Sequence, residues 1–372
     1  MDFQFPLMLV QNKIRAEGGR EIDRFRGVAN PMDTCNGAEA WIGSVTRANG
    51  ATKEHPNLGC AEVLLPDGSR TILRDLVREN ARQILGDKHM EKYGPDLGML
   101  IKLLDAKAQF LLQCHPTRET ARQYWNSSYG KEECWYVIGI RDDVPEPPHI
   151  LLGFKEGITA EAFEKAYREG TVKDLEAMCN KIIVHPGQAF LIPGGVPHAL
   201  GVGCFVAEIQ EPSDLTAVPI PQEALLAFRR NANPLGVFVA EDEALYETRM
   251  LHSFIFEGQS LETVKQRYLS KERLLRQVGD STEVEIFGEE DTECFSSTIV
   301  NVRGQITRQY TGDVQIGILL SGEGTIRCGE YVLHVKQGDE IFFPYNVPDA
   351  VFEGSFSIIL CNPGITANYK PE

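Results

Sequence analysis

The sequence lacks the long apolar run that a membrane-spanning helix requires. No segment approaches the roughly 18 consecutive apolar residues needed to cross a bilayer. The N-terminal segment MDFQFPLMLVQNK has no basic start and no small-residue cleavage site, so a signal peptide is not expected. We therefore expect a cytoplasmic protein without a membrane partner.

Positive charge is in short supply. The 37 lysine and arginine residues are outnumbered by 53 aspartate and glutamate residues, which gives a formal net charge of −16. Nucleic acids and anionic membrane surfaces would be repelled by such a chain, so neither is expected as a partner. A small anionic substrate needs only a local basic pocket and is not excluded.

The nine cysteines form no C-x-x-C pair. Their number is odd, they are scattered, and several lie in apolar strand-like runs. This usage favours reduced, buried thiols in the cytoplasm, with a secreted disulfide framework as the weaker alternative.

Short apolar segments separated by Gly, Pro, Asn and Asp dominate the chain. Examples are QFLLQCH (109–115), CWYVIGI (134–140), AFLIP (189–193), CFVAEIQ (204–210) and FSIILC (356–361). Many short strands at this spacing predict an all-β fold, a sandwich or a barrel. Helical spacing is found over 71–86, over 159–180 with an interruption at Gly170, and over 222–231, while the charged stretch 259–285 is predicted to be a connector with some helix.

One segment of the chain is repeated. Residues 187–200 read GQAFLIPGGVPHAL and residues 338–351 read GDEIFFPYNVPDAV. In both, a glycine opens a turn, five residues form a strand, and a proline ends it before a second turn containing Val-Pro. Two such copies predict two similar small barrels in tandem. The first copy has His198 where the second has Asp349.

The predicted domain organisation follows from this repeat. Residues 1–221 form the N-terminal domain with the metal site and a short helical insertion near 159–180. Residues 222–285 form a helical connector, and residues 286–372 form a C-terminal domain. The C-terminal domain contains His334 but no clustered ligand set, so we expect it to be metal-free.

Four residues of the N-terminal half have metal-ligand chemistry. Gln113 and His115 are two apart in one strand and therefore share a face. Glu133 begins the next strong strand, and His198 lies in the turn after the strand that ends at Pro193. Two imidazoles, one carboxylate and one amide oxygen suit Zn²⁺ or another borderline divalent ion. Each residue alone has an ordinary structural interpretation, so the prediction depends on all four lying in one barrel.

The segment GQAFLIPGGVPH also fits the second cupin motif, G-x5-P-x-G-x2-H. The larger set of segments resembles the type I phosphomannose isomerases. These segments are LIKLLDAKAQFLLQCHP (100–116), GKEECWYVI (130–138), PGGVPHALGVG (193–203) and AEIQEPSDLT (207–216). The resemblance implies two tandem cupin (jelly-roll) barrels with a few short helices, and it covers residues 35–216 best.

That family interconverts mannose 6-phosphate and fructose 6-phosphate through an enediol. The resemblance implies one zinc ion per chain, held by Gln113, His115, Glu133 and His198. Lys131 matches the family's active-site lysine and would place positive charge near the enediolate or the phosphate. Glu208 aligns with a pocket carboxylate and is the candidate for proton transfer or substrate orientation.

The sequence departs from the family at one position. Ten residues after the pocket carboxylate the family has a catalytic arginine, and this chain has Val218 there. Arg229, Arg230 or another basic residue would then replace it in space, the substrate would be a different sugar, or the protein would bind sugars without turning them over.

Two rival functions therefore remain. One is a non-catalytic, metal- and sugar-binding protein with two cupin barrels. The other is an Fe(II)-dependent cupin oxygenase, because two histidines and one carboxylate also suit that ion. The amide of Gln113 makes the oxygenase the weaker rival. The sequence predicts no oligomeric state.

Overall fold

The computed structural model describes residues 3–220, 243–309 and 312–365. In these residues the chain folds mainly into β-strands, as the prediction of an all-β protein requires. The strands are β1 (Leu7–Val10), β2 (Glu39–Ile42), β3 (Glu62–Leu64), β4 (Arg70–Ile72), β5 (Leu100–Asp105), β6 (Glu133–Ile140), β7 (His149–Phe154), β8 (Cys179–Ile183), β9 (Ala189–Ile192), β10 (His198–Leu200), β11 (Cys204–Gln210), β12 (Arg273–Val278), β13 (Ser281–Phe287), β14 (Phe295–Arg308), β15 (Gln315–Cys328), β16 (Tyr331–Lys336), β17 (Glu340–Phe343) and β18 (Ala350–Pro363).

Short helices lie between the strands. They are α1 (Arg20–Phe25), α2 (Leu73–Glu79), α3 (Ala81–Leu85), α4 (Asp87–Tyr93), α5 (Arg118–Thr120), a π-helical turn (Ala121–Trp125), α6 (Ala160–Glu169), α7 (Val172–Ala177), α8 (Glu243–His252) and α9 (Leu261–Tyr268). No helix in the described part of the chain is both long and apolar enough to span a membrane.

Two of the predicted helical segments are confirmed. Helices α2 and α3 fill most of 71–86, and α6 and α7 fill most of 159–180 with the break at Gly170. The hydroxyl of Thr171 accepts the N–H of Asp174 while the Asp174 carboxylate accepts the N–H of Thr171, which is a capping box that starts α7. The predicted helix over 222–231 lies outside the described residues.

The strands form three hydrogen-bonded sheets. A ten-stranded sheet has the order β12-β13-β14-β18-β15-β17-β1-β3-β4, with β16 paired to β15. A five-stranded sheet has the order β2-β5-β11-β6-β9, and a three-stranded sheet has the order β10-β7-β8. No closed barrel is found among these strands, so the two tandem cupin barrels stay a prediction.

The repeated segment has the same local structure in both copies. Gly187 and Gly338 have φ angles of 90° and 85°, and the strands β9 and β17 that follow them each have four residues. After each strand, a valine N–H donates to the carbonyl oxygen of the proline three residues earlier, which closes the turn. The distance is 3.2 Å from Val196 to Pro193 and 3.3 Å from Val347 to Pro344. The repeat seen in the sequence is therefore confirmed at the level of strand and turn.

The segment 259–285 differs from its prediction as a helical connector. Helix α9 accounts for its first part, but Arg273–Val278 and Ser281–Phe287 are the paired strands β12 and β13. The strands are poor in buried apolar residues because β12 lies at the edge of the ten-stranded sheet, where much of its surface is exposed. Cross-strand ion pairs between Arg273 and Glu285 and between Arg276 and Glu283 provide the side-chain contacts instead.

The N-terminal strand joins the two halves of the chain. Strand β1 pairs with β17 on one side and with β3 on the other. The largest hydrophobic core is shared in the same way, since it contains Leu7 and Ile101 together with Ile316 and Ile359. The five-stranded sheet, which carries the predicted site residues Glu133 and Glu208, packs on this shared core.

Candidate metal centre and adjoining cavity

Three of the four predicted ligands come together in one buried cluster. His115, Glu133 and His198 each offer a ligand atom, and these atoms lie within 4.8 Å of one another. Glu133 is the first residue of β6 and His198 the first of β10. The exposed fraction of each of these side chains is 1% or less.

Backbone hydrogen bonds fix how these residues meet. The N–H of Gln113 donates to the carbonyl of His198 at 2.9 Å, and the N–H of His198 donates to the carbonyl of Gln113 at 2.8 Å. The carbonyl of His115 accepts the N–H of Gly195. Gly195 has a φ of 91°, and a Cβ there would clash with Ile255, so this turn requires glycine.

Both imidazole rings are oriented by backbone carbonyls. The Nδ1 of His115 lies 2.8 Å from the carbonyl oxygen of Leu215, and the Nδ1 of His198 lies 2.9 Å from that of Val196. A carbonyl oxygen only accepts, so each neutral ring carries its hydrogen on Nδ1 and presents the lone pair of Nε2 to the cluster.

The distances within the cluster fit those between the ligand atoms of a metal site. The Nε2 of His115 lies 3.1 Å from Oε2 of Glu133, and the Nε2 of His198 lies 3.4 Å from Oε1 of the same carboxylate. Imidazole lone pairs and carboxylate oxygens at this range repel one another unless positive charge lies close to them, and the ammonium group of Lys131 supplies part of that charge. Ligand atoms bound at about 2.0 Å in a tetrahedral zinc site are about 3.3 Å apart, so the spacing fits such an ion.

Unsatisfied buried atoms lead to the same conclusion. Both carboxylate oxygens of Glu133 and the Nε2 of His198 have no hydrogen-bond partner of acceptable geometry among the described residues. Buried polar atoms without partners are costly, and ligand atoms of a metal site are a common exception. The donor set present therefore fits a divalent cation.

The predicted catalytic residue Lys131 lies inside the same cluster. Its Nζ is 2.8 Å from Nε2 of His115 and 3.0 Å from Oε2 of Glu133, and the side chain is 4% exposed. The ammonium group therefore supplies positive charge to the buried carboxylate.

This arrangement shifts the titration of the cluster. Burial, with the nearby charge of Lys131, lowers the pKa of His115 to about 3. Burial likewise lowers the pKa of His198. Burial alone would raise the pKa of Glu133, but Lys131 and His115 hold that pKa well below its usual range. At neutral pH the cluster therefore has two neutral imidazoles and one carboxylate, which are the protonation states that metal ligands need.

The fourth predicted ligand, Gln113, is partly buried beside this cluster. Its main chain forms the two hydrogen bonds with His198, and it also lines a cavity of about 320 Å³. Val218, at the position of the family's arginine, lines the same cavity. Its N–H and carbonyl both hydrogen-bond the hydroxyl of Tyr246 at 3.0 Å. The candidate replacements Arg229 and Arg230 lie outside the described residues.

The predicted proton-transfer residue Glu208 forms a buried ion pair that the sequence did not indicate. One carboxylate oxygen accepts from Nζ of Lys102 at 2.9 Å and the other from Nε1 of Trp135 at 2.9 Å. The indole of Trp135 packs edge-on against the ring of His198, with 5.5 Å between the ring centroids. Lys102 is the one charged residue in the apolar run LIKLL, and that isolation is the signal that identifies it in the sequence.

His334 does not contribute to this cluster. It lies exposed on β16 in the other half of the chain, and Asp349 occupies the place in the second repeat that His198 has in the first. In the described residues, the cluster of His115, Glu133 and His198 is the one group of three or more metal-ligating side chains.

Comparison with known proteins finds a family model that matches the N-terminal part of the chain. The catalytic-domain model of type I phosphomannose isomerase matches residues 7–134. The predicted resemblance is confirmed. Mannose-6-phosphate isomerase of Streptococcus mutans is 25% identical over 342 residues, which are 92% of this chain and 93% of that protein. Mannose-6-phosphate isomerase ManA of Bacillus subtilis is 25% identical over 277 residues, which are 74% of this chain and 77% of that protein.

Solved phosphomannose isomerases share the overall fold. The mannose 6-phosphate isomerase structure from Bacillus subtilis superimposes with a TM-score of 0.75 at 20% identity, covering 96% of this chain and all of that one. A mutant of phosphomannose isomerase from Salmonella typhimurium gives a TM-score of 0.71 at 14% identity, covering 96% of this chain and 99% of that one. The prediction of an enzyme like the mannose-6-phosphate isomerases is supported by the family model and the curated relatives together.

Proposed function

We propose that this protein is a metal-dependent aldose–ketose isomerase that interconverts mannose 6-phosphate and fructose 6-phosphate through an enediol. The observation that carries the proposal is the buried cluster of His115, Glu133 and His198, whose ligand atoms lie within 4.8 Å of one another and include buried atoms without a hydrogen-bond partner. The catalytic-domain match to type I phosphomannose isomerase supports the choice of reaction.

In this proposal one zinc ion per chain is held by Gln113, His115, Glu133 and His198. Three of these residues form the buried cluster, and Gln113 is joined to His198 by two backbone hydrogen bonds. A bound zinc ion would supply a Lewis acid that stabilises the negative charge that develops on the enediol oxygens. The carbonyls that hold both imidazole rings keep the ligands in the required tautomer.

The chain's own residues then supply proton transfer and charge. Isomerisation removes a proton from C2 of mannose 6-phosphate and returns one to C1, so a base must lie near both carbons. We assign this role to the carboxylate of Glu208, which Lys102 and Trp135 hold in place. The ammonium of Lys131 provides positive charge to the anionic intermediate or to the phosphate.

The finer structural predictions are part of the same proposal. Two tandem cupin barrels, an N-terminal domain over 1–221 and a metal-free C-terminal domain over 286–372 are the expected organisation. The shared strand-and-turn structure of the two repeats supports it. In the connector expected over 222–285, the strands β12 and β13 replace helix in the last part. A cytoplasmic location is also proposed, and the nine free cysteine thiols are consistent with a reducing compartment.

The direct test is an isomerase assay on zinc-loaded protein with mannose 6-phosphate, with unphosphorylated mannose in parallel. We expect turnover of mannose 6-phosphate that a chelator abolishes and added zinc restores. Absence of turnover on either sugar with zinc still bound would favour the non-catalytic sugar-binding alternative. Bound iron together with oxygen consumption would favour the oxygenase.

A further inference from the structure

The cavity beside the metal cluster is lined by a compact set of charged and amide side chains. Its volume is about 320 Å³, and Gln113 forms part of its wall. Its other polar lining residues include Arg15, Glu39, Asn49, Gln109, Asp214 and Thr216. Among the described lining residues, Arg15 is the only one with a positive charge.

Arg15 is held rigidly in this wall. Its Nε donates to Oε1 of Glu39 at 2.9 Å, and its two terminal nitrogens donate to the two carboxylate oxygens of Asp214 at 2.9 Å and 3.0 Å. The guanidinium also lies over the ring of Trp41, 5.4 Å from its centroid. A guanidinium fixed on three sides loses little further freedom when it binds a ligand.

This arrangement leaves hydrogen-bonding capacity unused in the wall of the cavity. A guanidinium has five N–H donors, and the bonds to Glu39 and Asp214 use three of them. The carboxylates keep acceptor positions as well, because each has about four lone-pair sites. Glu39 receives one further bond, from the indole of Trp41, and Asp214 receives one from the N–H of Asn49.

The net charge around Arg15, Glu39 and Asp214 decides which chemical group they can bind. Burial alone would raise the pKa of Glu39 and of Asp214, but the charge of Arg15 keeps both pKa values below their ordinary range. Lys102 also lowers both pKa values, but its charge is paired with Glu208, so one guanidinium faces the carboxylates of Glu39, Asp214 and the lining residue Glu17, and the net charge is negative. A phosphate dianion would be repelled here, whereas a hydroxyl group both donates to carboxylates and accepts from a guanidinium.

We propose that Arg15, Glu39 and Asp214 form a subsite that binds the uncharged hydroxyl groups of the substrate's carbon chain, and that the phosphate binds elsewhere. The subsite deepens the proposed isomerase function and rests on it. Arg15 is its central residue because it is the one group that contacts both carboxylates.

The test compares two properties of an Arg15→Lys variant. We expect kcat/KM for mannose 6-phosphate to fall by about 10- to 100-fold, since hydrogen bonds to a charged group are lost. The inhibition constant of inorganic phosphate should change less than about two-fold, because the phosphate does not bind to the subsite of Arg15, Glu39 and Asp214. Arg20→Lys is the matched control: Arg20 also pairs with carboxylates and its side chain is 19% exposed, against 17% for Arg15.

A second variant keeps the test decisive if Arg15→Lys does not fold. Asp214→Asn preserves the shape of the side chain and removes one charge, and it should show the same loss of kcat/KM with an unchanged phosphate inhibition constant. A parallel rise in the phosphate inhibition constant would overturn the proposal, and so would an unchanged kcat/KM. If the wild-type enzyme turned over neither sugar, the proposed function itself would fail, and that outcome is distinct from both.

Discussion

The ammonium group of Lys131 contacts both the imidazole of His115 and the carboxylate of Glu133. Because Glu133 is fully buried, it needs a positive partner whether or not a metal is bound. In the metal-free protein Lys131 is the nearest such partner, 3.0 Å from the carboxylate. This residue therefore links the stability of the metal-free state to the metal cluster.

We predict that Lys131→Met destabilises the chelated protein by about 3–5 kcal/mol, because it leaves a buried carboxylate without its ammonium partner. Adding zinc should recover most of this loss, since the ion neutralises the same carboxylate. Urea unfolding with and without zinc measures both effects. Lys107→Met, at an exposed ion pair with Glu17, is the control and should have a much smaller effect. Equal effects of the two substitutions would contradict the assignment.

The residues of the metal cluster could be predicted from the sequence, but their surroundings could not. His115, Glu133 and His198 stand in recognisable motifs, and the structure brings these three residues together. Arg15 and Asp214 are 199 residues apart in the sequence. No local pattern indicates a contact over that distance, since it depends on the pairing of β2 with β5 and of β5 with β11.

At the level of elements, strand β17 has a role that β9 does not. It pairs with β1, and its first residue, Glu340, forms a buried ion pair with Arg26, which follows α1. Their side chains are 2% and 3% exposed. The pair thus joins the C-terminal repeat to the N-terminal part of the chain.

Arg26→Met should lower the free energy of unfolding by about 3–5 kcal/mol, because Glu340 would remain buried without its partner. The metal content should not change, since neither residue belongs to the metal cluster. Thermal or urea unfolding together with metal analysis tests both statements. Arg168→Met, which breaks an exposed ion pair with Glu164, serves as the comparison and should have little effect. Loss of metal in Arg26→Met would show that the two regions are coupled in a way the contacts do not indicate.

Elements with strong local signals were predicted well, and those defined by distant pairing were not. The Gly-to-Pro repeat gave β9 and β17 because turn and strand are both local. The sequence of β12 and β13 predicts a connector because it is charged and poor in apolar residues. Their strand character comes from pairing of β12 with β13 and of β13 with β14. The position of β1 between β17 and β3 likewise depends on contacts with residues far away in sequence.

On the scale of the whole molecule, the two repeats have different chemistry on similar local frames. The first has His198 as the first residue of β10, and the second has Asp349 directly before β18. The shared core and the strand β1 hold the two halves in one structure. The proposed metal site and reaction belong to the N-terminal half, because the cluster of His115, Glu133 and His198 lies there.

The most direct test measures metal content and mannose 6-phosphate turnover in the same preparations of His198→Ala and His334→Ala. We predict that the His198→Ala protein loses most of its bound zinc and, with it, most of its mannose 6-phosphate turnover, because the ligands and the metal act as one unit. His334→Ala should keep both, since its side chain is exposed and far from the cluster in sequence. Full zinc content and turnover in His198→Ala, or loss of zinc in His334→Ala, would contradict the account.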